Sequence, residues 1–447
     1  MNRFFIRILL TGIIVLAGHS AYSQTNEFTL KEAQDYAVLY NYQARNAVID
    51  IAIAERQNRE TLATGLPQLD ASIGYNNFIS LATQLIPGEF FGGEPGSYIE
   101  VQFGTKHNAS VQAQISQLLF SGAWFVGLKM AGEVTELTQL QLEQARQEVR
   151  QAIANAYYLV LVAESNLKLM AETIQTMESL LSETDALFRQ GFLEETDVDK
   201  LRLLLSELKT NRIMAENQIR SAGYLLKFNM GLSVTDEIRL TDTLESLLMA
   251  TDPQSMITVD FDPQDHVTFR MMDVQENISR LQVQMAKTAY LPLATAFISQ
   301  VQNAQRNSFN FFSFDEKWFP TSLFGVQINI PIFSSGERLH SVRRASLELE
   351  KSLNTKRQVT ESLVMGALTS RNNFDVAVVT YRNKRENFDL ARRIYEKDQI
   401  RYKAGVASGT DLKQSYNTLL EAQGTYLSAA LDMLNKKVEL DKAYSRL

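Results

Sequence analysis

The sequence predicts a mainly α fold with a small β part, in which a unit of helix, strand, strand and long helical hairpin occurs twice. An internal repeat is the first sign: QISQLLFSG at residues 114–122 returns as QINIPIFSSG at residues 327–336. Each copy follows a segment with period-two alternation and precedes about 65 residues of helical periodicity, far more than a usual globular helix. We therefore expect two similar halves.

Composition narrows the function classes. With 45% hydrophobic and 21% charged residues, the 447-residue chain can bury a core and is neither disordered nor a polytopic helical membrane protein. The net charge of −7 gives no basic surface for nucleic acid, which requires clustered lysine and arginine. We therefore expect no nucleic-acid partner.

The N-terminus predicts a signal peptide over residues 1–23, because Arg3 and Arg7 precede an apolar run that ends in small residues. An N-terminal anchor or a buried helix is the alternative. The chain has no cysteine, so it has neither disulfides nor a thiol for a lipid anchor. Export without disulfides is typical of a bacterial envelope protein.

The first repeat is predicted over residues 24–240. Thr29 and Glu32 have the spacing of a capping box, so a helix should begin there. It should stop near Thr64, because Pro67 cannot continue a helix.

Strands are then predicted at about 68–77 and 108–119, on either side of a loop at 78–106 that is rich in glycine and proline. Both strands alternate between an apolar and a polar face. The helix at 122–189 has a near-heptad seam and an expected length of roughly 100 Å.

This long helix should break at a first tip near Gly191, where Thr196 and Asp197 are predicted to cap the return helix. The same spacing leads from Gly405 to Thr410 in the second repeat. Each repeat therefore ends in a long antiparallel helical hairpin.

Residues 241–265 are predicted to be an acidic connector, interpreted as a solvated segment and not as a cation site. The second repeat, residues 266–447, has strands at about 293–301 and 322–332 and a tip near residue 405. The aromatic residues before its second strand predict either an interfacial girdle or a packed loop tip: Phe309, Phe311, Phe312, Phe314, Trp318 and Phe319.

Four strands of about ten residues, each with one apolar face, have the length that a bilayer crossing needs. They are too few to close a barrel, and open sheet edges do not survive in lipid. The barrel must then be shared between chains, and the residue pattern leaves open eight strands from a dimer or twelve from a trimer. A soluble β–α protein with a half-buried sheet is the alternative.

The chain resembles the TolC family of outer-membrane efflux proteins. The resemblance rests on the duplicated order of elements, on a Leu-Pro before the first strand of each half, and on Phe-Ser-Gly or Phe-Ser-Ser-Gly after the second. The segment 229–232, Asn-Met-Gly-Leu, is similar to the Leu-Gly-Leu that commonly closes the first half in this family.

This resemblance implies a homotrimer with a twelve-stranded β-barrel in outer-membrane lipid, continuing into a periplasmic α-helical barrel. It implies a passive exit duct of a tripartite efflux or type I secretion system. A periplasmic adaptor would dock at the tips, Gly191 and Gly405, and an inner-membrane pump of the RND, ABC or MFS class would deliver substrate. Six residues would form the barrel-to-tunnel bends: Phe120, Ser121, Gly122, Phe333, Ser334 and Gly336.

The resemblance also implies a periplasmic gate of Thr196, Asp197, Tyr402 and Asp411. In the family pattern Asp197 and Tyr402 match one closing pair, Thr196 matches half of a second, and Asp411 matches one aspartate ring. This sequence departs from the pattern at two positions. The arginine partner of Thr196 is replaced by Ala407, and the second aspartate by Gln414.

An enzyme finds little support in the sequence, and we expect no catalytic residues, metal or cofactor. The histidines of the mature chain, His107, His266 and His340, lie far apart and outside any ligand spacing. The alternative function is a periplasmic coiled-coil adaptor or scaffold protein of the envelope. Such a protein would have one hairpin flanked by soluble β-modules, whereas this sequence predicts two hairpins and four membrane-like strands.

Overall fold

The computed structural model describes residues 26–251 and 261–447. The predicted signal peptide and residues 252–260 of the predicted acidic connector lie outside this part. The helices and strands of the described residues are, in chain order, β1 (Asn26–Phe28), α1 (Leu30–Tyr40), α2 (Tyr42–Ala63), β2 (Gln68–Asn77), β3 (Thr83–Pro87), β4 (Tyr98–Gln102), β5 (His107–Ser121), α3 (Gly122–Arg189), α4 (Glu195–Met230), β6 (Ile238–Leu240), α5 (Leu244–Ala250), α6 (Val267–Thr288), β7 (Leu293–Arg306), β8 (Phe319–Asn329), α7 (Glu337–Lys403) and α8 (Gly409–Ala443).

The described chain divides into two compact units that do not follow the two sequence repeats. The first unit contains residues 26–45, 146–251 and 367–447, and the second contains residues 46–145 and 261–366. Each unit therefore draws on both predicted repeats, whose bounds stay a prediction.

The second unit contains an antiparallel sheet in the order β2-β5-β7-β8. One face is mostly apolar, and its side chains are exposed in the single chain, such as Ile73 at 82% and Phe324 at 70%. β5 and β7 have 15 and 14 residues, more than the about ten that a tilted strand needs to cross a bilayer. These two properties fit strands that contact lipid.

Parts of the β region differ from the prediction. β7 extends to Arg306 because it stays paired with β5 along its whole length, up to His107. β8 ends at Asn329, before Pro331, which has no amide to donate to a ladder. The loop predicted at 78–106 contains the antiparallel hairpin of β3 and β4.

The aromatic loop between β7 and β8 packs in part against the strand ends. The Phe309 ring lies edge-on to Tyr75 at 5.5 Å between centroids, and the Tyr75 hydroxyl is 2.8 Å from His107 Nδ1. Phe311 is buried, whereas Phe314 is fully exposed. The loop is thus a packed tip for some of its aromatic residues, and the interfacial girdle stays a prediction.

The first helix of the chain is interrupted, where the sequence predicted one helix to residue 64. The capping box of Thr29 and Glu32 is confirmed. At Asn41, however, the backbone leaves the helical conformation, and the Asn41 carboxamide accepts from the amide of Gln43 at 2.7 Å. Because asparagine is a strong N-cap residue, α1 ends and α2 begins at this position.

The two long helices agree with the periodicity. α3 has 68 residues and α7 has 67. No helix in the described ranges combines the length and apolarity that a membrane crossing requires.

A buried tyrosine holds the segment from Phe28 to Leu30 in place in the first unit. Tyr157, which is fully buried, places its hydroxyl 2.9 Å from the Phe28 carbonyl and 3.0 Å from Asp242 Oδ2. That carboxylate also accepts from the Leu30 amide at 2.8 Å. Burial, followed by the Asp242 hydrogen bond, raises the pKa of Tyr157. The described part of the predicted connector is therefore partly structured, because it contains Asp242 and α5, and it is not wholly solvated. Just before the connector, β6 pairs parallel to β1.

An ionic cluster joins α6 and α7 in the second unit. Lys356 donates to Asp273 Oδ1 at 2.6 Å and to Glu276 Oε2 at 2.8 Å. Hydrogen bonds from Lys356 and then Arg280 hold the pKa of Glu276 below its usual range.

We expect Glu276→Gln to lower the melting temperature by about 2–4 °C at neutral pH, which corresponds to about 1 kcal/mol. Because the folded pKa of Glu276 is depressed, its contribution is present above the unfolded value of about 4.3 and is lost as the pH falls through the folded value. The difference from wild type should therefore vanish at low pH in thermal melts followed by circular dichroism. Glu396→Gln, in an exposed pair with Arg392, is the control, and an equal effect of both variants would contradict the assignment.

Candidate functional site at the hairpin tips

Both hairpin tips have the same backbone geometry, as the repeat predicts. Gly191 has φ +82° and Gly405 has φ +71°, the left-handed conformation that favours glycine. In the first tip, the amides of Gly191 and Phe192 donate to the carbonyls of Phe188 and Leu187 at 2.8 and 3.0 Å. The amides of Gly405 and Val406 make the equivalent bonds at 3.0 and 2.9 Å. Each long helix thus ends in a Schellman motif, which satisfies its last carbonyls.

The tips expose apolar side chains just beyond these glycines. Phe192 is 74% exposed and Val406 is 69% exposed. A Cβ added to either glycine would meet nothing within 4 Å. Large apolar side chains at the end of a hairpin, with open space around the turn, are available for contact with another molecule.

The return helices are not capped by the predicted residues. α4 has Glu194 at its N-cap, with no side-chain cap, and Asp197 lies within the first turn, 3.5 Å from Lys200 Nζ. Thr196 Oγ1 donates to the Glu194 carboxylate at 3.1 Å. The prediction that Thr196 and Asp197 cap this helix is therefore wrong by two to three positions.

The second return helix has the full cap that the first lacks. Ser408 is its N-cap, and the Ser408 amide donates to Asp411 Oδ2 at 3.0 Å while the Asp411 amide donates to Ser408 Oγ at 3.2 Å. The Ser408 amide and then its hydroxyl lower the pKa of the Asp411 carboxyl. The sequence analysis did not identify Ser408 as the N-cap, although a serine three residues before an aspartate is a signal for the start of a helix.

Tyr402 and Asp197 are neighbours that do not hydrogen-bond in the single chain. Both border Gly409: a Cβ there would lie 3.4 Å from Asp197 Oδ1 and 3.8 Å from Tyr402 Cε2. The Tyr402 side chain is buried, and Thr184 and Asp197 lie near its hydroxyl. Burial raises the pKa of Tyr402. A hydrogen bond with the Thr184 side chain opposes this rise, and the negative charge of Asp197 adds to it.

The first strand-to-helix bend is direct. β5 ends at Ser121 and α3 begins at Gly122, with the Ser121 hydroxyl accepting from the Trp124 amide at 3.2 Å. A Cβ on Gly122 would lie 2.6 Å from Leu291 Cδ1, so the glycine allows close approach. Phe120, the third predicted bend residue, is 38% exposed.

The second bend is longer and is built differently. Residues 330–336 separate β8 from α7, and positive φ values occur at Ser335 (48°) and Gly336 (88°). Arg338 donates to the Pro331 carbonyl at 2.8 Å, which holds the connecting segment against the helix start. The other predicted bend residues, Phe333 and Ser334, lie within this segment. Pro331 occurs in the second copy and not in the first, and the two bends have different structures.

Comparisons with known proteins agree with this duplicated architecture. The family model described as "Outer membrane efflux protein" matches residues 29–231 and 264–445. The chain belongs to the outer membrane efflux protein family.

Among relatives of this family member, the outer membrane protein TolC of Vibrio cholerae is 19% identical over 93% of this chain and 91% of its own length. Among solved structures, CusC matches with a TM-score of 0.70 and 14% identity, covering 93% of this chain and 91% of that one. The outer-membrane channel MtrE of Neisseria gonorrhoeae, in its open state, matches with a TM-score of 0.70 and 18% identity, covering 93% and 88%. These similarities confirm the predicted fold.

The family assignment places the protein in the outer membrane as an efflux channel. The family is one of channels and not of enzymes. Within the described ranges, no group of histidine, aspartate and glutamate side chains has the arrangement of a metal site.

Proposed function

We propose that three copies of this chain form one passive exit duct, in which twelve strands close a barrel in outer-membrane lipid and six helical hairpins form a periplasmic tunnel. The observation that carries this proposal is the sheet: β2 and β8 are its edge strands among the described residues, and its apolar face is exposed. Edges in lipid must be paired, so the strands of one chain need neighbours. The duct works without cofactor or catalysis.

Native mass spectrometry of the detergent-extracted protein tests this assembly. The expected species has the mass of three mature chains and persists when detergent is reduced to the minimum needed for solubility. A monomer or a dimer under conditions that preserve secondary structure would contradict the proposal.

We further propose that the tips dock a periplasmic adaptor, through which an inner-membrane pump of the RND, ABC or MFS class delivers substrate. The exposure of Phe192 and Val406 at equivalent positions of the two tips supports this. Replacing both with serine should abolish capture of a co-expressed adaptor while leaving the oligomer intact. Undiminished capture would move the docking surface away from the tips.

The proposed gate lies at the same end and contains Thr196, Asp197, Tyr402 and Asp411. Its support is the position of Asp197 and Tyr402, whose side chains both lie next to Gly409. Asp411 also serves as a helix cap, so its variants would combine two effects.

We propose that in the closed tip of the assembled duct the Tyr402 hydroxyl donates to Asp197, a hydrogen bond that the single chain lacks. We therefore expect Tyr402→Phe, which cannot make this bond, to raise the resting conductance in planar bilayers about two- to fivefold. Tyr395→Phe is the matched control, since that tyrosine is also buried in the same core cluster but lies two helical turns away. Equal conductance of Tyr402→Phe and wild type would remove this hydroxyl from the gate.

A further inference from the structure

We propose that an ion pair between Glu183 and Lys403 is the electrostatic latch between the two hairpins of one chain, and that it takes the place of the family link that Ala407 removes. The inference rests on the proposed function, since it assigns a role within the same gate. Lys403 Nζ lies 2.7 Å from Glu183 Oε2 and 2.9 Å from Oε1. The pair joins the last turn of α7 to the end of α3.

The sequence around each partner explains why the pair crosses between hairpins. Aligned on the two tip glycines, Lys403 corresponds to Arg189 of the first repeat. Arg189 pairs within its own helix with Asp185 at 2.7 Å, four residues earlier. The residue four before Lys403 is Gln399, which has no charge. Lys403 therefore lacks the intrahelical partner that its counterpart has.

Glu183 also lacks a partner of opposite charge on its own helix. The residues three and four away from it, where an intrahelical cation would stand, are Ser179, Leu180, Ala186 and Leu187. Both charges thus find their nearest opposite charge on the other hairpin. This pair joins α3 of the first hairpin to α7 of the second.

Each member of the ion pair is next in sequence to a buried residue, which restricts where the charged side chains can lie. Thr184 and Tyr402, the chain neighbours of the two charged residues, are 2% and 7% exposed. The two charged side chains are about half exposed, at 47% for Glu183 and 46% for Lys403. The latch therefore lies at the rim of a packed helix contact, where salt reaches it.

Planar-bilayer recordings of the full mature protein test the latch. We expect Lys403→Gln to raise the resting conductance about three- to tenfold at about 0.15 M KCl, because three copies of the pair are lost together. Glu183→Gln should have the same effect. The double exchange, Glu183→Lys with Lys403→Glu, should restore the wild-type conductance.

The salt dependence of the conductance distinguishes this ion-pair latch from a hydrogen bond. At about 1 M KCl the screening length falls from about 8 Å to about 3 Å, so the ratio of Lys403→Gln to wild type should approach one. The effect of Tyr402→Phe should persist at both concentrations.

Lys209→Gln is the matched control. Lys209 pairs with Glu178 at 2.7 Å with similar exposure, but within the first hairpin. Three results would each contradict the latch. The first is equal conductance of Lys403→Gln and Lys209→Gln, and the second is a double exchange that does not restore the low conductance. The third is a ratio of Lys403→Gln to wild-type conductance that does not change with salt concentration. A wild-type protein without any channel activity would instead contradict the proposed function.

Discussion

We expect the Gly231→Ala variant to lose at least about 3 kcal/mol of unfolding free energy and its melting temperature to fall by roughly 10 °C. Gly231 ends α4 with φ +79°. A Cβ at this position would lie 2.3 Å from the Tyr40 carbonyl oxygen and 2.8 Å from its carbon. Both atoms are backbone, so the overlap can be relieved only by separating α4 from the end of α1.

Gly191→Ala is the control that isolates the backbone term. It has the same sign of φ but open space around it, so we expect a loss of only about 1 kcal/mol. Circular dichroism melts of the two detergent-solubilised variants provide the comparison. Equal losses would show that close approach to Tyr40 does not matter.

The second large effect is expected from Leu412→Ala. This side chain is fully buried in the core cluster beside the tip, which also contains Leu201 and Tyr402. Removing three buried carbons leaves a cavity, and such substitutions cost about 2–5 kcal/mol. Because the cavity adjoins the proposed gate, the resting conductance should rise as well.

Leu203→Ala is the control for this cavity, since Leu203 is 72% exposed on α4. We expect its melting temperature and conductance to stay near those of wild type. A Leu412→Ala protein that melts at a lower temperature yet conducts as wild type does would separate the core from the gate.

The sequence predicted best where local chemistry decides the structure. The capping box at Thr29 and the turn glycines Gly191 and Gly405 act through backbone groups a few residues away, so their signatures are readable in one dimension. The bounds of α3 follow from a long, uninterrupted periodicity. The helix break at Asn41 was missed because apolar and small residues continue across it.

Contacts between distant segments could not be predicted in this way. Glu183 and Lys403 are separated by 220 residues, so their pairing depends on how the two hairpins pack. Asp242 looked like one carboxylate in an acidic run, but the fold places it against the buried Tyr157. The local sequence around such residues predicts an exposed side chain. Their contacts become apparent only when the distant segments pack together.

The position of Asp197 shows a third limit. Asp197 stands as far from Gly191 as Asp411 stands from Gly405, yet only Asp411 completes a capping box, because Ser408 has Glu194 as its equivalent. A glutamate reaches the helix amides less well than a serine at this position. One substitution therefore leaves Asp197 free of the cap and beside Tyr402.

Single-channel recording of the purified wild-type protein in planar bilayers tests the central claim most directly. We predict discrete insertions with a low resting conductance that rises when the tip links are removed. A protein that forms the expected oligomer but never inserts, or that conducts fully at rest and is unchanged by Lys403→Gln and Tyr402→Phe, would contradict a duct closed at its hairpin tips.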